Sequence, residues 1–130
     1  MIYFISGHRN ITEEQFNEVY VPAIEKVVES DSGFGFVVGD YYGVDIMAQN
    51  YLVKRGFASK VFVYHMFDKP RNKAEGITNV VGGFQTDEER DAAMTKASDF
   101  DIAFYDHEPS GTGENLRRRH CMNYKPRKIK

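Results

Sequence analysis

Hydrophobic residues follow two patterns along this chain: short unbroken runs, and longer segments in which they recur every three or four positions. Short unbroken runs that end at glycine or polar residues are typical of buried strands, and the longer spacing is typical of amphipathic helices. The first pattern predicts strands at residues 1–6, 34–38, 61–66 and 101–105. The second predicts helices over about residues 12–30, 43–55, 87–98 and 114–120.

Two segments depart from this regular alternation. The first helix starts at Thr12 with the sequence of a capping box, and Pro22 inside it predicts a kink or a break into two pieces. Residues 67–86 show little periodicity and predict a long loop with a short strand at residues 78–81. A loop of this length in a compact domain is usually functional or disordered.

Strands that alternate with helices, and that are apolar almost throughout, predict a parallel sheet with helices on both faces. The fold class is therefore doubly wound α/β. A chain of 130 residues suits one domain; we assign residues 1–120 to it and residues 121–130 to a basic tail. Ligands of such sheets bind beyond the carboxyl ends of the strands, which directs attention to the strand-to-helix turns.

Composition and charge narrow the setting. The chain is 42% hydrophobic and 28% charged, and no apolar run approaches the roughly 20 residues of a membrane helix. Cys121 is the only cysteine and a strand begins at once without a signal peptide, so we expect a cytoplasmic protein that does not contact membranes. Residues 117–130 hold seven Lys or Arg and no acid, while ten basic and nineteen acidic residues give residues 1–116 a net charge of −9. The basic end fits nucleic-acid binding or, alternatively, a helix end with a solvated tail.

Three strand-to-helix turns are rich in glycine and polar residues, and we expect them to converge on one ligand. They fall within residues 4–9, 36–45 and 102–115. The third turn has the chemistry of a phosphate site, because hydroxyl and backbone N–H groups gather at the start of a helix. These groups belong to Ser110, Gly111, Thr112 and Gly113.

The first turn contains Gly7, His8 and Arg9. Glycine lets a ligand approach the backbone, Arg9 can pair with a phosphate or carboxylate, and His8 can act as an acid, a base or a phosphate donor. In the alternative, Gly7 only turns the chain and the two side chains after it face solvent.

In the second turn Gly39 and Gly43 bracket a short polar segment, and Asp45 falls in the first turn of the following helix. A carboxylate at this place either binds ribose hydroxyls or is stabilised by the helix amino terminus alone. Tyr41 and Tyr42 either flank a base or pack in the core or at its rim.

Glu114 and Asn115 stand in the first turn of the last predicted helix. Glu114 is a candidate nucleophile or general base for cleaving a glycosidic bond, or else an acid favoured by the helix dipole. The turn lacks the Gly-Lys-Ser or Gly-Lys-Thr ending of the P-loop, so it does not support a kinase or a nucleoside triphosphatase. The four histidines do not have the spacing of a zinc site, and we expect no metal and no cofactor.

Four motifs, taken in order, resemble the SLOG superfamily, a Rossmann-like group that includes the Smf/DprA-like and LOG proteins; the small YspA/YpsA-like branch is the most similar. The motifs are Ser-Gly-His-Arg at 6–9, Gly-Asp-Tyr-Tyr-Gly-Val-Asp at 39–45, Glu-Arg-Asp-Ala-Ala-Met at 89–94 and Ser-Gly-Thr-Gly-Glu-Asn at 110–115. The resemblance implies a Rossmann-like fold that binds a nucleotide or a nucleotide-derived ligand. In the LOG branch it also implies hydrolysis of the N-glycosidic bond of nucleoside 5′-monophosphates.

Individual residues match that branch unevenly. Arg90 and Met94 match an Arg-x-x-x-Met motif whose arginine belongs to the active site, and Gly111 and Thr112 match a Gly-Thr phosphate loop. Asn115 stands where the hydrolases carry their catalytic glutamate. The resemblance thus implies nucleotide binding and leaves open whether the ligand is cleaved.

The sequence therefore predicts a nucleotide site, with cleavage of the glycosidic bond as its possible reaction. The predicted ligand-binding residues are Ser6, Gly7, His8, Arg9, Gly39, Asp40, Gly43, Ser110, Gly111, Thr112, Gly113 and Asn115, and the predicted catalytic residues are Glu114, Asp45 and Arg90. The alternatives are a sensor that binds a nucleotide signal without changing it, and a nucleic-acid binder that uses the basic tail. We expect a homodimer, as is common among small globular proteins.

Overall fold

The computed structural model describes residues 1–105 and 127–128. In this part the strands are β1 Ile2–Ser6, β2 Gly35–Val38, β3 Val61–Met66, β4 Val80–Phe84, β5 Phe100–Tyr105 and β6 Arg127–Lys128. The α-helices are α1 Glu13–Gln15, α2 Val21–Ser30, α3 Val44–Lys54 and α4 Asp87–Ala97. A π-helical segment, Phe16–Tyr20, joins α1 to α2, and a 3₁₀ turn, Ala58–Lys60, precedes β3.

The strands form one sheet in the order β4-β3-β2-β1-β5-β6, and each neighbouring pair is parallel. The chain adds β2, β3 and β4 in turn on one side of β1, and then places β5 on the other side of β1. The carboxyl ends of β1 and β5 therefore flank the point where the strand order reverses, which is the usual ligand position in open α/β sheets. The strand β6, formed by two residues of the predicted basic tail, pairs with β5 through Phe104 and Arg127.

Helices cover both faces of the sheet, as predicted for a doubly wound fold. Successive strand residues point to opposite faces, so Ile5 and Val38 pack in the larger core with α2 and α3, while Phe4 and Val37 pack with Met94 of α4 on the other face. Both the fold class and the parallel arrangement are confirmed. No helix in the described ranges is long and apolar enough to cross a membrane.

The first helical segment has its break just before Pro22. Thr12 and Gln15 form the predicted capping box, each side chain bonding the other's backbone N–H at 3.1 Å. The π-helical segment follows, and at its end the Val21 N–H donates to the Phe16 carbonyl five residues earlier. Pro22 then occupies the first turn of α2, and its missing N–H takes one donor out of the helical hydrogen bonds at the place where the winding changes.

The predicted strand at residues 78–81 is displaced: β4 begins at Val80 and continues to Phe84. The glycines at 82 and 83 weakened the strand signal in the sequence, because glycine has low β propensity. Packing explains one of them, since a Cβ on Gly82 would overlap the imidazole of His65 on the neighbouring strand. The predicted helix at residues 114–120 lies outside the described residues.

Candidate functional site

The first two glycine-rich turns meet at the carboxyl edge of the sheet, as predicted. The Val44 N–H, at the start of α3, donates to the His8 carbonyl at 3.3 Å. Gly43 has a φ of +81°, and a Cβ there would lie 2.5 Å from the Arg9 carbonyl oxygen. Only glycine fits this contact, because it combines a left-handed conformation with a close backbone approach. The third turn, Ser110 to Asn115, lies outside the described residues together with Glu114.

Gly7 is fixed by packing. A Cβ at this position would collide with the Tyr20 hydroxyl and the Val44 side chain. The same hydroxyl donates to the Ser6 carbonyl at 2.7 Å and accepts from the Phe104 N–H at 3.2 Å, so it connects β1 with β5 where the strand order reverses. Tyr20 is fully buried and was not among the predicted site residues. The packing agrees with the alternative in which Gly7 serves the turn itself.

Ser6 ends β1 with a buried hydroxyl that has no hydrogen-bond partner in the described part of the chain. Strand alternation places its side chain on the same face as Phe4, toward α4. In the parallel register Ile5 lies beside Val38, so the next residue, Ser6, stands beside Gly39 just past the end of β2. A buried hydroxyl without a partner costs free energy, and such groups concentrate where ligands bind.

Asp40, directly after Gly39, is completely buried and accepts four hydrogen bonds from two arginines. Its carboxylate accepts from the Arg71 backbone N–H at 2.8 Å, from Arg71 Nε at 3.2 Å and Nη2 at 2.8 Å, and from Arg90 Nη1 at 2.7 Å. Burial acts to raise the pKa of Asp40, but the Arg71 hydrogen bonds and the charges of both arginines outweigh it and hold the pKa below its usual value. Asp40 is thus an ionised anchor between the β3–β4 connection and α4.

Arg90, the predicted active-site arginine, is 5% exposed and surrounded by carboxylates. Besides Asp40, it donates to Asp91 Oδ1 from Nε at 3.2 Å and Nη2 at 2.9 Å, and Asp87 lies 3.4 Å from its Nη1. Its positive charge is therefore balanced within the protein. An arginine whose charge is already balanced is better suited to positioning its neighbours than to binding a phosphate directly.

Asp45, in the first turn of α3, has a different environment from Asp40. It is 8% exposed and accepts one hydrogen bond within the described part, from the Tyr41 N–H at 3.1 Å. Burial raises the pKa of Asp45 to about 7, a shift that the charge of Arg90 only partly opposes. A buried carboxyl that titrates near neutrality at a strand end is a typical functional-site feature.

Gly39 lets the side chains of Asp45 and Arg90 pack closely against the backbone. A Cβ on Gly39 would lie 2.5 Å from Asp45 Oδ2 and 3.0 Å from the Arg90 Cζ. Gly39 therefore allows a close approach, and the group that approaches it is the Asp45 carboxylate. Ser6, Asp45 and Arg90 are brought together around this glycine.

The rim of the site carries exposed rings and cations. The Arg9 guanidinium lies 4.9 Å from the Tyr41 ring centroid and donates from Nη1 to the Tyr41 hydroxyl at 2.7 Å. Arg71 lies 4.6 Å from the same ring, and the Tyr42 ring lies 4.8 Å from it. Arg9 faces solvent, as the alternative reading expected, whereas His8 is buried.

Sequence reasoning missed Arg71 and its neighbour Asn72, which fix the β3–β4 connection onto the site. Asn72 Nδ2 donates to the Asp40 carbonyl at 3.1 Å, and the Gln49 side chain bonds both Gly39 and Asn72 carbonyls. The only signal in the sequence was the length of the 67–86 segment, which favoured a functional loop without indicating a residue. Among the described residues, no group of three or more His, Cys, Asp or Glu is arranged to hold a metal ion.

Comparison with known proteins finds a similarity of fold. No protein-family model and no curated protein matches the chain by sequence. A solved structure of DNA processing protein A from Helicobacter pylori, described for its binding of single-stranded DNA, matches with a TM-score of 0.72. The fold is similar to that of DNA processing protein A. The match covers 97% of this chain and 63% of that chain at 19% identity.

This similarity of fold agrees with the Smf/DprA part of the resemblance noted in the sequence. The chain spans less than two thirds of the length of DNA processing protein A. Assignment to the YspA/YpsA-like branch stays a prediction.

Proposed function

We propose that this protein binds a nucleotide or a nucleotide-derived ligand at the carboxyl edge of β1 and β2. The observation that carries the proposal is Asp45, a buried carboxyl with a pKa near 7 that accepts one backbone hydrogen bond in the described part of the chain. A group kept buried with so few partners gains hydrogen bonds when a polar ligand arrives.

The ligand chemistry follows from what surrounds Asp45. Its carboxylate and the Ser6 hydroxyl suit the hydroxyls of a ribose. Two arginines at this edge, Arg71 and Arg90, are already paired with carboxylates. No acidic group lies within 4.0 Å of Arg9 in the described part, so we assign the phosphate of the ligand to Arg9. The predicted phosphate turn, Ser110 to Gly113, would complete the site.

The enzymatic form of the proposal is hydrolysis of the N-glycosidic bond of a nucleoside 5′-monophosphate. Water adds to the anomeric carbon, the base leaves, and an ionised carboxylate stabilises the positive charge that develops on the sugar. Asp45 or Glu114 would supply that carboxylate. If Asp45 does, the cleavage rate rises with pH up to about 7, because only the ionised form is active.

A thermal-shift screen against nucleoside monophosphates, ADP-ribose and cyclic dinucleotides tests binding, since a ligand of the folded state raises the melting temperature. Each hit is then incubated with the protein and analysed by chromatography for released base. Asp45→Asn should weaken the shift, and Glu29→Gln, which removes an exposed carboxylate near the end of α2 and so at the opposite edge of the sheet, should leave it unchanged. Free base supports the enzyme, an intact ligand supports a sensor, and no shift with any compound contradicts the proposal.

A second candidate function is binding of single-stranded nucleic acid, and the similarity in fold to a protein described for that activity favours it. The seven basic residues at 117–130 would contact phosphates. Replacing Arg117, Arg118 and Arg119 by Ser should then weaken oligonucleotide binding and flatten its dependence on salt, because fewer counterions are released. Unchanged affinity and salt slope in fluorescence anisotropy would contradict this candidate.

A further inference from the structure

The rim of the candidate site carries an exposed aromatic ring. Tyr42 is 53% exposed, and its ring packs against the Tyr41 ring with 4.8 Å between the centroids. Tyr41 is held beneath it by contacts with Arg9 and Arg71. The pair Tyr41 and Tyr42, together with Arg9, is called the tyrosine platform below.

The platform is rigidly supported. Arg71 reaches the Tyr41 ring while its guanidinium is bound to the buried Asp40 carboxylate at 2.8 Å. Arg9 also donates to the Tyr41 hydroxyl, and the Tyr41 N–H is bound to Asp45. The Tyr42 ring packs on this fixed Tyr41 ring, which lowers the cost of ordering Tyr42 when a ligand binds.

Its position joins the platform to the proposed sugar site. Tyr42 precedes Asp45 by three residues, so their Cα atoms are no more than about 11 Å apart. An exposed aromatic ring beside a cation is the arrangement on which nucleobases stack, and stacking accepts every base because every base has a π face.

We propose that the tyrosine platform binds the base of the nucleotide by stacking on Tyr42, while Arg9, at the edge of the platform, is left for the phosphate. This inference rests on the proposed function and adds the basis on which the site would discriminate among nucleotides. Affinity should increase with the area of the base that stacks on the ring. Purine nucleotides therefore bind more tightly than pyrimidine nucleotides, and both bind more tightly than ribose 5-phosphate, which has no base.

The test measures the affinity of the full chain for AMP, GMP, CMP, UMP and ribose 5-phosphate by isothermal titration calorimetry. AMP should bind the wild-type protein roughly 5- to 100-fold more tightly than ribose 5-phosphate does, which is the usual contribution of one stacked base. Tyr42→Ala should remove most of that difference while leaving ribose 5-phosphate affinity intact. Tyr42→Phe keeps the ring and should keep the difference.

Phe100→Ala provides the matched control. Phe100 is 43% exposed and stacks on Tyr3, but it lies at the amino end of β5, on the opposite edge of the sheet. Its removal should change no affinity in the series. A gap between AMP and ribose 5-phosphate that closes in this variant too would overturn the assignment to Tyr42.

The possible failures can be told apart. If AMP and ribose 5-phosphate bind equally and Tyr42→Ala changes neither, the platform is refuted while nucleotide binding stands. If Tyr42→Ala changes only the sedimentation behaviour of the protein, the ring serves an interface between copies, and the platform is refuted again. If no compound binds the wild-type protein, the proposed function fails together with the platform.

Discussion

Asp40 lies in the turn after β2 and Asp45 lies five residues later, in the first turn of α3; both are buried, yet their surroundings have opposite effects on their pKa values. Asp40 accepts four hydrogen bonds from two arginines, and its pKa is held low. Asp45 accepts one hydrogen bond from a backbone N–H, and burial raises its pKa to about 7. Environments that drive the pKa values of neighbouring acids apart assign them different roles. From this comparison we propose that Asp40 stabilises the fold of the site and that Asp45 serves a ligand.

The largest effect is expected from Asp40→Asn. Removing this charge takes away the shortest hydrogen bond of buried Arg90, at 2.7 Å, and releases Arg71, so we expect a loss of about 3–5 kcal/mol in the free energy of unfolding, measured in urea. Asp87→Asn is the control, because Asp87 contacts the same two arginines but is half exposed. Its loss should cost no more than about 1 kcal/mol. Equal losses in the two variants would remove the distinction of Asp40 as the buried anchor.

Asp45→Asn should change the pH dependence of stability. The folded protein retains the Asp45 proton up to about pH 7, whereas the unfolded chain releases it near the ordinary value of 3.8. Between these values the folded state binds more protons, so the contribution of Asp45 to stability falls as pH rises and is constant above about pH 7.

The measurement is urea unfolding of the wild type and of Asp45→Asn between pH 4 and 8. From pH 4 to pH 8, the free energy of unfolding of the variant should rise relative to that of the wild type by an amount on the order of 3 kcal/mol. Charged neighbours that remain in both proteins, Arg90, Asp40 and Asp91, cancel in the difference. Parallel stability curves would show that Asp45 has an ordinary pKa and would erase the contrast with Asp40.

Gly39→Ala tests how closely the Asp45 pocket is packed. The added methyl group would lie 2.5 Å from Asp45 Oδ2 and 3.0 Å from Arg90 Cζ, and moving these groups should cost about 1–3 kcal/mol and weaken nucleotide binding. Gly33→Ala is the control, because its nearest neighbour would be 3.8 Å away. The control should unfold like the wild type in urea. A Gly39→Ala protein that is as stable as the control would mean that the pocket is open.

The smallest effect on stability is expected from Ser6→Ala. The Ser6 hydroxyl has no hydrogen-bond partner in the described part of the chain, so its removal should change the free energy of unfolding by less than about 0.5 kcal/mol or increase it slightly. Nucleotide affinity, measured by calorimetry, should nevertheless fall several-fold. A clear loss of stability with unchanged affinity would place Ser6 with Asp40, among the residues that hold the fold.

Much of the fold was predictable because the local signals agree with the tertiary arrangement. The apolar runs of β1, β2 and β3 and the start of α3 after Gly43 match the structure to within one residue. The convergence of the first two turns followed from the parallel sheet, since the carboxyl ends of all its strands lie at one edge.

The chemistry of the site was less predictable, because it depends on contacts between distant parts of the sequence. The bonds from Arg71 to Asp40 span 31 residues and form only because the β3–β4 connection folds back over the sheet. Asp45 was recognised as an acid in the first turn of a helix, but the sequence does not show that it is buried. Its difference from Asp40 is therefore a property of the folded chain alone.

The central claim, a nucleotide site around Gly39 and Asp45, is tested most directly by amide NMR during titration with AMP. The account predicts that the N–H signals of Gly7, Gly39 and Gly43 move with AMP concentration. The signals of Gly33 and Gly56, which precede the amino ends of β2 and β3, should stay in place. Signals that do not move at all, or that move only at Gly33 and Gly56, would contradict the claim.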